Sequence, residues 1–244
     1  MKPVSKTATL LKLQVIGFNC KNAKRHILKT LIAHSSQLDK YPSYWENVDN
    51  LKKQKIIVKE VFIGTEEFNK IATQFKSTLP KAVVLKVERI QNINLWRQFQ
   101  LESDRIKEKL GGNPDSVNIR YAYHGTGNTP PQTIYMSEDG FNVNYCSDGS
   151  LWGKANYFAV KSEYSHSYRH KTSKGTFQMF YARVILGRAK LLGQDKSLRE
   201  PPMVEGSSNV RYDSVQGFAS GSDIFMVYSN KKAYPEYLLT YKSD

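Results

Sequence analysis

Residues 152–171 read WGKANYFAVKSEYSHSYRHK, and in this stretch aromatic rings alternate with small hydroxyl side chains. Tyrosines stand at Tyr157, Tyr164 and Tyr168, and serines occupy positions 162, 165 and 167 between and beside them. Rings separated by small hydroxyl residues form a slot for a planar ligand, in which each ring pair adds about 0.5–1.5 kcal/mol beyond area burial. The stretch therefore predicts either a stacking site or an ordinary core strand with a tyrosine-rich edge.

The same stretch contains two histidines, His166 and His170, at the spacing of four that zinc ligands can adopt. No cluster of Cys, Asp or Glu accompanies them, and the only cysteines of the chain are Cys20 and Cys146. We therefore expect no metal site and no disulfide framework. There is no apolar run of 18 residues and no secretory cleavage site, so we expect no membrane segment and a cytoplasmic or nuclear location.

A second segment with chemical potential is YAYHGTGNTPP, residues 121–131, in which His124 and Gly125 directly follow a predicted strand. A histidine before a glycine places a ring nitrogen beside unshielded backbone groups, an arrangement that suits sugar hydroxyls and a carboxamide. Taken alone the pair is a weak signal, because most such histidines are turn residues.

The closing stretch DIFMVYSNKKAYPEYLLTY, residues 223–241, predicts two strands with one conspicuous acid, Glu236, on the second. Strand alternation places Ile224 and Met226 on one side of the first strand and Phe225 on the other. Whether Glu236 is a catalytic carboxylate depends on which strand contributes to a site.

Between these segments the hydrophobic pattern predicts an α+β protein. Helical periodicity marks residues 65–78 and 94–112, whereas from about residue 118 short strands follow one another, separated by Gly, Asn, Asp and Pro. There is no glycine-rich dinucleotide turn and no phosphate-loop lysine motif. Further strands are predicted at 8–17, 55–63 and 81–90, a helix at 21–38, and a linker at 39–50.

Positive charge is concentrated at the beginning of the chain. Residues 1–60 hold twelve Lys and Arg against four Asp and Glu, a net +8 out of +14 for the chain. Such an excess favours a polyanionic partner, nucleic acid first, although the same lysines would also suit the solvated face of one helix.

Taken in order, six segments resemble the catalytic domain of the poly(ADP-ribose) polymerase (PARP) family, the diphtheria-toxin-like ADP-ribosyltransferases. They are IRYAYHGT (119–126), GKANYFAV (153–160), YSHSY (164–168), MFYARVILG (179–187), YDSV (212–215) and the closing stretch. The resemblance implies two antiparallel sheets with flanking helices around a cleft for NAD, the co-substrate. It covers residues 41–244 as a catalytic domain and leaves residues 1–40 as a small basic β–α lobe or the remnant of an upstream module.

The resemblance also assigns roles to single residues. His124, Tyr157 and Ile224 would form the catalytic triad, with His124 on a ribose hydroxyl. The Gly125 backbone and the Ser165 hydroxyl would hold the nicotinamide carboxamide, and the ring of Tyr168 would stack on nicotinamide. The remaining residues expected to bind the cofactor are Thr126, at the adenosine ribose, and Tyr164 and Phe158.

Aligning the last strand with the family places Ile224 where polymerases carry a glutamate, and makes Glu236 a structural or surface acid. A register slip of one residue would instead put Asp223 in that position. With isoleucine there, the resemblance implies transfer of a single ADP-ribose to protein side chains, including the enzyme's own, or to nucleic-acid ends. The alternative is a catalytically silent module that binds RNA or proteins, and Ala155, at a position where the family has a cleft glycine, favours it slightly because alanine would be strained at positive φ.

Overall fold

The computed structural model describes residues 41–147 and 149–243, so the predicted strand at 8–17 and helix at 21–38 lie outside the described residues. Tyr44–Asp244 forms one compact unit, and of the other unit, Met1–Ser43, only residues 41–43 are described. None of the helices within the described ranges is both long and apolar enough to cross a membrane.

Helices and strands alternate early and strands dominate late. The helices are α1 (Val48–Gln54), α2 (Glu66–Lys76), α3 (Ile93–Lys109), α4 (Pro131–Tyr135) and α5 (Ser162–His166). The strands are β1 (Ile56–Val61), β2 (Val83–Asn92), β3 (Ile119–His124), β4 (Asn156–Ala159), β5 (His170–Lys171), β6 (Phe177–Ile185), β7 (Ala189–Leu191), β8 (Ser214–Ala219), β9 (Ser222–Val227) and β10 (Ala233–Lys242). Short 3₁₀ turns lie at residues 114–117, 143–145 and 230–232.

The strands are hydrogen-bonded in the order β1-β2-β10-β6-β3-β4-β9-β8-β7, with β5 paired to β6. Two predicted antiparallel sheets are therefore joined into one, through the single residue pair Tyr123 and Ala159 between β3 and β4. One pair, β7 with β8, is parallel. This junction lies next to His124 and Tyr157, so the catalytic candidates sit where the two halves of the sheet meet.

The long helices are anchored by ordinary sequence signals. Thr65 caps α2 by accepting a hydrogen bond from the backbone N–H of Phe68, and Phe68, Ile71 and Phe75 bury one face of that helix. Asn92 caps α3 in the same way. Both helices pack on the sheet through aromatic side chains: Phe75 of α2 contacts Tyr123 and Tyr241, and Trp96 and Phe99 of α3 contact Tyr234.

The predicted linker at 39–50 is wrong for its second half. Trp45 is buried, and its ring lies 5.5 Å from that of Trp96 and 6.1 Å from that of Tyr234. Helix α1 begins at Val48 and buries Leu51. A polar segment that contains a proline is bound to the domain by its aromatic residues, because burying one large ring offsets the cost of ordering several polar residues.

Candidate active site

A cleft of about 720 Å³ opens beside the β3–β4 junction. This volume lies within the roughly 300–1,000 Å³ typical of small-molecule sites. Eight of the nine predicted site residues line it: His124, Gly125, Thr126, Tyr157, Phe158, Tyr164, Ser165 and Tyr168. Its described lining also includes Phe141, Cys146, Ala155 and Asn156, and contains no Asp, Glu, Lys or Arg.

Gly125 brings two of the predicted segments into direct contact. A Cβ at this position would lie 2.4 Å from the carbonyl oxygen of Tyr168 and 2.6 Å from that of Ser165. Only glycine permits this approach of one backbone to another. The requirement explains why His124 is followed by glycine, and it places the His124 turn against the chain that carries Ser165 and Tyr168.

His124 is fixed in one tautomer by the neighbouring strand. Its Nδ1 lies 2.7 Å from the carbonyl oxygen of Tyr157, and because a carbonyl only accepts, Nδ1 carries the proton. Burial lowers the pKa of His124 below its usual value, and the hydrogen bond to the Tyr157 carbonyl opposes this only in part. The ring is therefore neutral at pH 7, and Nε2 is left to accept a hydrogen bond from a ligand hydroxyl.

Two phenylalanines hold the His124 ring. The Phe158 ring lies 5.2 Å from it and the Phe141 ring 5.0 Å from it, and these two rings meet edge to face. Phe158, which is expected to bind the cofactor, lines the cleft but is only about 1% exposed, and its ring packs against both His124 and Phe141. Phe141 was not predicted, since an isolated phenylalanine in a loop gives no periodic signal.

Tyr157 lines the cleft, and its hydroxyl is hydrogen-bonded on both sides to the turn that precedes β4. The hydroxyl donates to the carbonyl oxygen of Gly153 at 2.8 Å and accepts from the backbone N–H of Trp152 at 2.9 Å. Burial raises the pKa of Tyr157 well above its usual value. Its proton is thus held in the turn, and Tyr157 acts as a positioned aromatic surface.

Tyr164, Ser165 and Tyr168 lie on and just after the short helix α5. The rings of Tyr164 and Tyr168 are 5.6 Å apart, and burial together with a hydrogen bond to Tyr168 raises the pKa of Tyr164. Tyr168 is 53% exposed, so its ring remains available for stacking. Ser165 is buried, and its hydroxyl donates to the carbonyl oxygen of Tyr123 at 2.9 Å, which leaves its oxygen lone pairs free to accept.

Ile224 is the one predicted site residue that does not line the cleft. It pairs with Ala159, and Met226 pairs with Tyr157, so these four residues share a face. Ile224 is fully buried in a cluster that includes Ala155, with Tyr157 packed against that cluster. The β9 strand thus supplies an apolar support beneath the cleft.

Neither acid of the closing stretch reaches the cleft. Asp223 accepts a hydrogen bond from Gln216 at 3.1 Å and, by strand alternation, points to the face opposite Ile224. Glu236 is fully buried on β10, where it forms an ion pair with Arg183 and accepts a hydrogen bond from the hydroxyl of Tyr44. Glu236 is a structural acid.

The predicted strain at Ala155 is absent. Among the described residues, the non-glycine positions with positive φ are Asn47, Lys55, Asn118 and Ser220. The positive φ of this turn falls two residues earlier, at Gly153, where a Cβ would lie 1.9 Å from the carbonyl oxygen of Leu198. Ala155 therefore lines the cleft without backbone strain.

The two histidines with zinc-like spacing have separate partners. His166 Nδ1 lies 2.8 Å from the hydroxyl of Tyr241, and His170 Nδ1 lies 2.9 Å from the carbonyl oxygen of Gly127. Within the described ranges, no three His, Cys, Asp or Glu side chains form a group suited to a metal ion.

Comparison with known proteins identifies the family of the chain. A family profile described as "Poly(ADP-ribose) polymerase catalytic domain" matches residues 65–217. The chain belongs to this family. The predicted α+β ADP-ribosyltransferase fold is thereby confirmed, and the co-substrate of the family is NAD.

Individual proteins with sequences similar to this chain include mono-ADP-ribosyltransferases. The chain is 34% identical over 206 residues to the protein mono-ADP-ribosyltransferase PARP12 of Homo sapiens, covering 83% of this chain and 28% of PARP12. A probable poly [ADP-ribose] polymerase of Dictyostelium discoideum is 30% identical over 205 residues, with coverages of 83% and 57%. The protein mono-ADP-ribosyltransferase PARP14 of Homo sapiens is 28% identical over 230 residues, with coverages of 92% and 12%. The chain spans between about an eighth and somewhat more than half of the length of these relatives.

Proposed function

We propose that this protein transfers a single ADP-ribose from NAD to protein side chains, its own included, and releases nicotinamide. The observation that carries the proposal is the assembly of His124, Gly125, Tyr157, Ser165 and Tyr168 around one cleft of suitable size. Membership of the PARP catalytic-domain family and the mono-ADP-ribosyltransferase names of PARP12 and PARP14 support it.

In this proposal the chain positions NAD by its nicotinamide half. The half-exposed ring of Tyr168 stacks on the nicotinamide ring, with the Tyr157 ring beside it and Tyr164 behind Tyr168. The oxygen of Ser165 accepts from the carboxamide N–H₂, and the backbone of Gly125 completes the grip. Nε2 of His124 accepts from a ribose hydroxyl.

Thr126 has a smaller part in this arrangement. Its hydroxyl donates to the carbonyl oxygen of Thr129 at 2.6 Å. Towards the adenosine ribose the hydroxyl oxygen therefore acts as a hydrogen-bond acceptor. Phe158 contributes by holding the His124 ring.

The reaction breaks the bond between nicotinamide and C1′ of the ribose. Nicotinamide leaves with the bonding electron pair as a neutral molecule, and the acceptor oxygen forms the new bond to C1′ and passes its proton, if it has one, to solvent. The described cleft lining holds no Asp or Glu to activate a ribose hydroxyl as acceptor. An acceptor that is already ionised, such as an Asp or Glu side chain, is therefore favoured, and chain elongation is not.

Incubation with labelled NAD tests the proposal. His124→Ala removes the acceptor for the ribose hydroxyl and should lower labelling about 100-fold, on the scale of losing one transition-state hydrogen bond. Tyr168→Ala removes the stacking ring and should lower NAD affinity about tenfold. Phe218→Ala, which deletes a 64% exposed ring on β8, is the matched control and should label like the parent protein. If His124→Ala and Tyr168→Ala both label like the parent, the cleft is not the active site.

We also propose that the basic excess of residues 1–60 contacts nucleic acid. Its support is the net charge of +8 over this range, more than half of the net charge of the chain. Four of the lysines, Lys52, Lys53, Lys55 and Lys59, belong to the described residues, and Lys59 forms an ion pair with Glu46.

A further inference from the structure

The turn at residues 126–129 lines the cleft, and within the described part of the chain it is hydrogen-bonded to other segments through a single residue. Within the turn, Thr129 N–H donates to the Thr126 carbonyl oxygen, and the Thr126 hydroxyl donates to the carbonyl oxygen of Thr129. Among the described residues, hydrogen bonds from this turn to the rest of the chain are made only by Gly127.

Gly127 is held by both of its backbone groups. Its N–H donates to the carbonyl oxygen of Tyr168 at 2.7 Å, and its carbonyl oxygen lies 2.9 Å from Nδ1 of His170. Since a carbonyl only accepts, His170 donates through Nδ1–H. One peptide segment, 168–170, therefore both carries the stacking tyrosine and grips the turn that follows His124 and Gly125.

The position of His170 is itself fixed by the sheet. It lies on β5 and pairs with Gln178 of β6, and His124 pairs with Phe180 two residues further along the same strand. Because β6 fixes the position of His170, the hydrogen bond from His170 also fixes the position of the turn relative to β6. The turn is thus connected to β6 in two ways: along the chain through β3, which pairs with β6, and through the His170 hydrogen bond and β5, which also pairs with β6.

We propose that His170 is a positioning residue for the dinucleotide. Its Nδ1–H fixes Gly127, and through Gly127 it fixes the Gly125 and Thr126 backbone against Tyr168 before NAD binds. The proposal rests on the proposed function, because it concerns the same cleft. It assigns no chemical step to His170, whose ring is not among the described residues that line the cleft.

Three substitutions separate this role from simple support of the fold. His170→Ala removes the donor and leaves Gly127 with one of its two bonds. His170→Asn places an amide N–H close to the former Nδ1 and should restore the bond. His170→Gln carries its amide further out, near the former Nε2, and should not restore it.

The measurements are the KM for NAD and kcat of self-labelling, the Kd for NAD by calorimetry, and hydrogen exchange of the Gly127 amide in the free protein. One hydrogen bond of ordinary strength corresponds to a roughly three- to tenfold rise in KM and Kd for His170→Ala and His170→Gln, with kcat little changed. His170→Asn should stay within about twofold of the parent. Exchange at Gly127 should be faster in the Ala and Gln variants than in the Asn variant.

The outcomes distinguish failure of this inference from failure of the proposed function. A parent protein that binds no NAD overturns the proposed function and the ligand-binding role of His170 together. If the parent binds NAD and His170→Ala binds it equally well, or if Asn and Gln weaken binding to the same extent, the positioning role is wrong and the proposed function stands. Equal losses of Tm in all three variants with unchanged KM would mean that His170 only supports the fold.

Discussion

Ile224 of β9 lies opposite Ala159 of β4, and its side chain has no exposed surface. An aliphatic side chain cannot accept the proton of a ribose hydroxyl, and its burial beneath Tyr157 shows what it does instead. It fills the layer on which the Tyr157 ring rests. Ile224 therefore brings no carboxylate to the cleft and supports one of the aromatic residues that line it.

Substitutions at Ile224 should accordingly act first on stability. Ile224→Val shortens the side chain by one methylene and should cost about 0.5–1.5 kcal/mol, and Ile224→Ala about 2–5 kcal/mol. Ile224→Glu buries a charge without a partner and should cost about 3–5 kcal/mol, without creating a polymerase. Denaturant unfolding monitored by tyrosine and tryptophan fluorescence measures these values. A Glu variant as stable as the Val variant would mean that residue 224 faces solvent in the cleft.

His124 predicts how NAD binding responds to pH. Its folded-state pKa is lowered from the ordinary 6.5, so the neutral form is the native one. The folded protein binds fewer protons than the unfolded chain, so the contribution of His124 to stability falls as pH drops below about 6.5. Protonation turns Nε2 from an acceptor into a donor, so NAD affinity falls at a lower pH, as pH passes through the lowered pKa of the folded state. No other described side chain of the cleft lining ordinarily titrates between pH 5 and 8. Calorimetric Kd values should be constant from pH 7 to 8 and should weaken in acid; tighter binding in acid would contradict this role for His124.

At the scale of elements, the segment before α1 is joined to the sheet by a buried ionic group. The Arg183 guanidinium on β6 contacts the Glu236 carboxylate on β10, and the Tyr44 hydroxyl hydrogen-bonds with both side chains. Arg183 also lies 5.5 Å from the Trp96 ring and 5.2 Å from the Tyr121 ring. Three elements far apart in sequence therefore depend on one carboxylate.

Glu236→Gln should destabilise the fold without impairing the chemistry. It leaves the largely buried Arg183 charge with no acid partner among the described residues, a change that typically costs about 3–5 kcal/mol. Thermal unfolding should show a lower Tm, whereas NAD affinity and labelling at a temperature well below that Tm should match the parent. Loss of labelling with an unchanged Tm would make Glu236 the catalytic acid after all.

The long helices and strands could be predicted from the sequence, whereas the packing of the connecting segments and the pairing between the two halves of the sheet could not. Helix α2 was expected at 65–78 and spans Glu66–Lys76, because its apolar residues repeat with helical spacing and Thr65 caps it. The polar segment at 39–50 was misread because its composition does not reveal that Trp45 packs on Trp96. The two halves of the sheet are joined by one residue pair, Tyr123 with Ala159, and the local hydrophobic pattern of the sequence does not indicate this pairing.

At the scale of the whole molecule, the order of segments along the chain was enough to select candidate residues that line one cleft, but it did not indicate the contacts that support them. The resemblance was enough to select Gly125. Glycine is required there because the backbones of Ser165 and Tyr168, some forty residues later in the chain, approach it closely. Phe141 and Gly127 lie in loops and His170 lies on a strand of two residues, and segments this short or irregular have no periodic signal. Contacts between distant loops are the part of a site that sequence patterns specify least.

The charge distribution makes a separate prediction for the whole chain. If residues 1–60 contact nucleic acid, the affinity for a single-stranded RNA should fall steeply with salt, because neutralised phosphates release their counterions. Deleting residues 1–40 removes eight of the twelve basic residues in this range and should weaken binding and flatten the salt slope. Fluorescence anisotropy at several salt concentrations measures both. An unchanged slope after deletion would mean that these lysines are merely solvated.

The central claim is transfer of one ADP-ribose per site through the cleft that contains His124, Tyr157 and Tyr168. Its most direct test is intact-protein and peptide mass spectrometry of the unmutated protein after long incubation with excess NAD. We expect modified side chains that each carry the mass of a single ADP-ribose, and an initial rate of modification about 100-fold lower in His124→Ala. Ladders of two or more units on one side chain would contradict the account, as would single units that persist in full in His124→Ala.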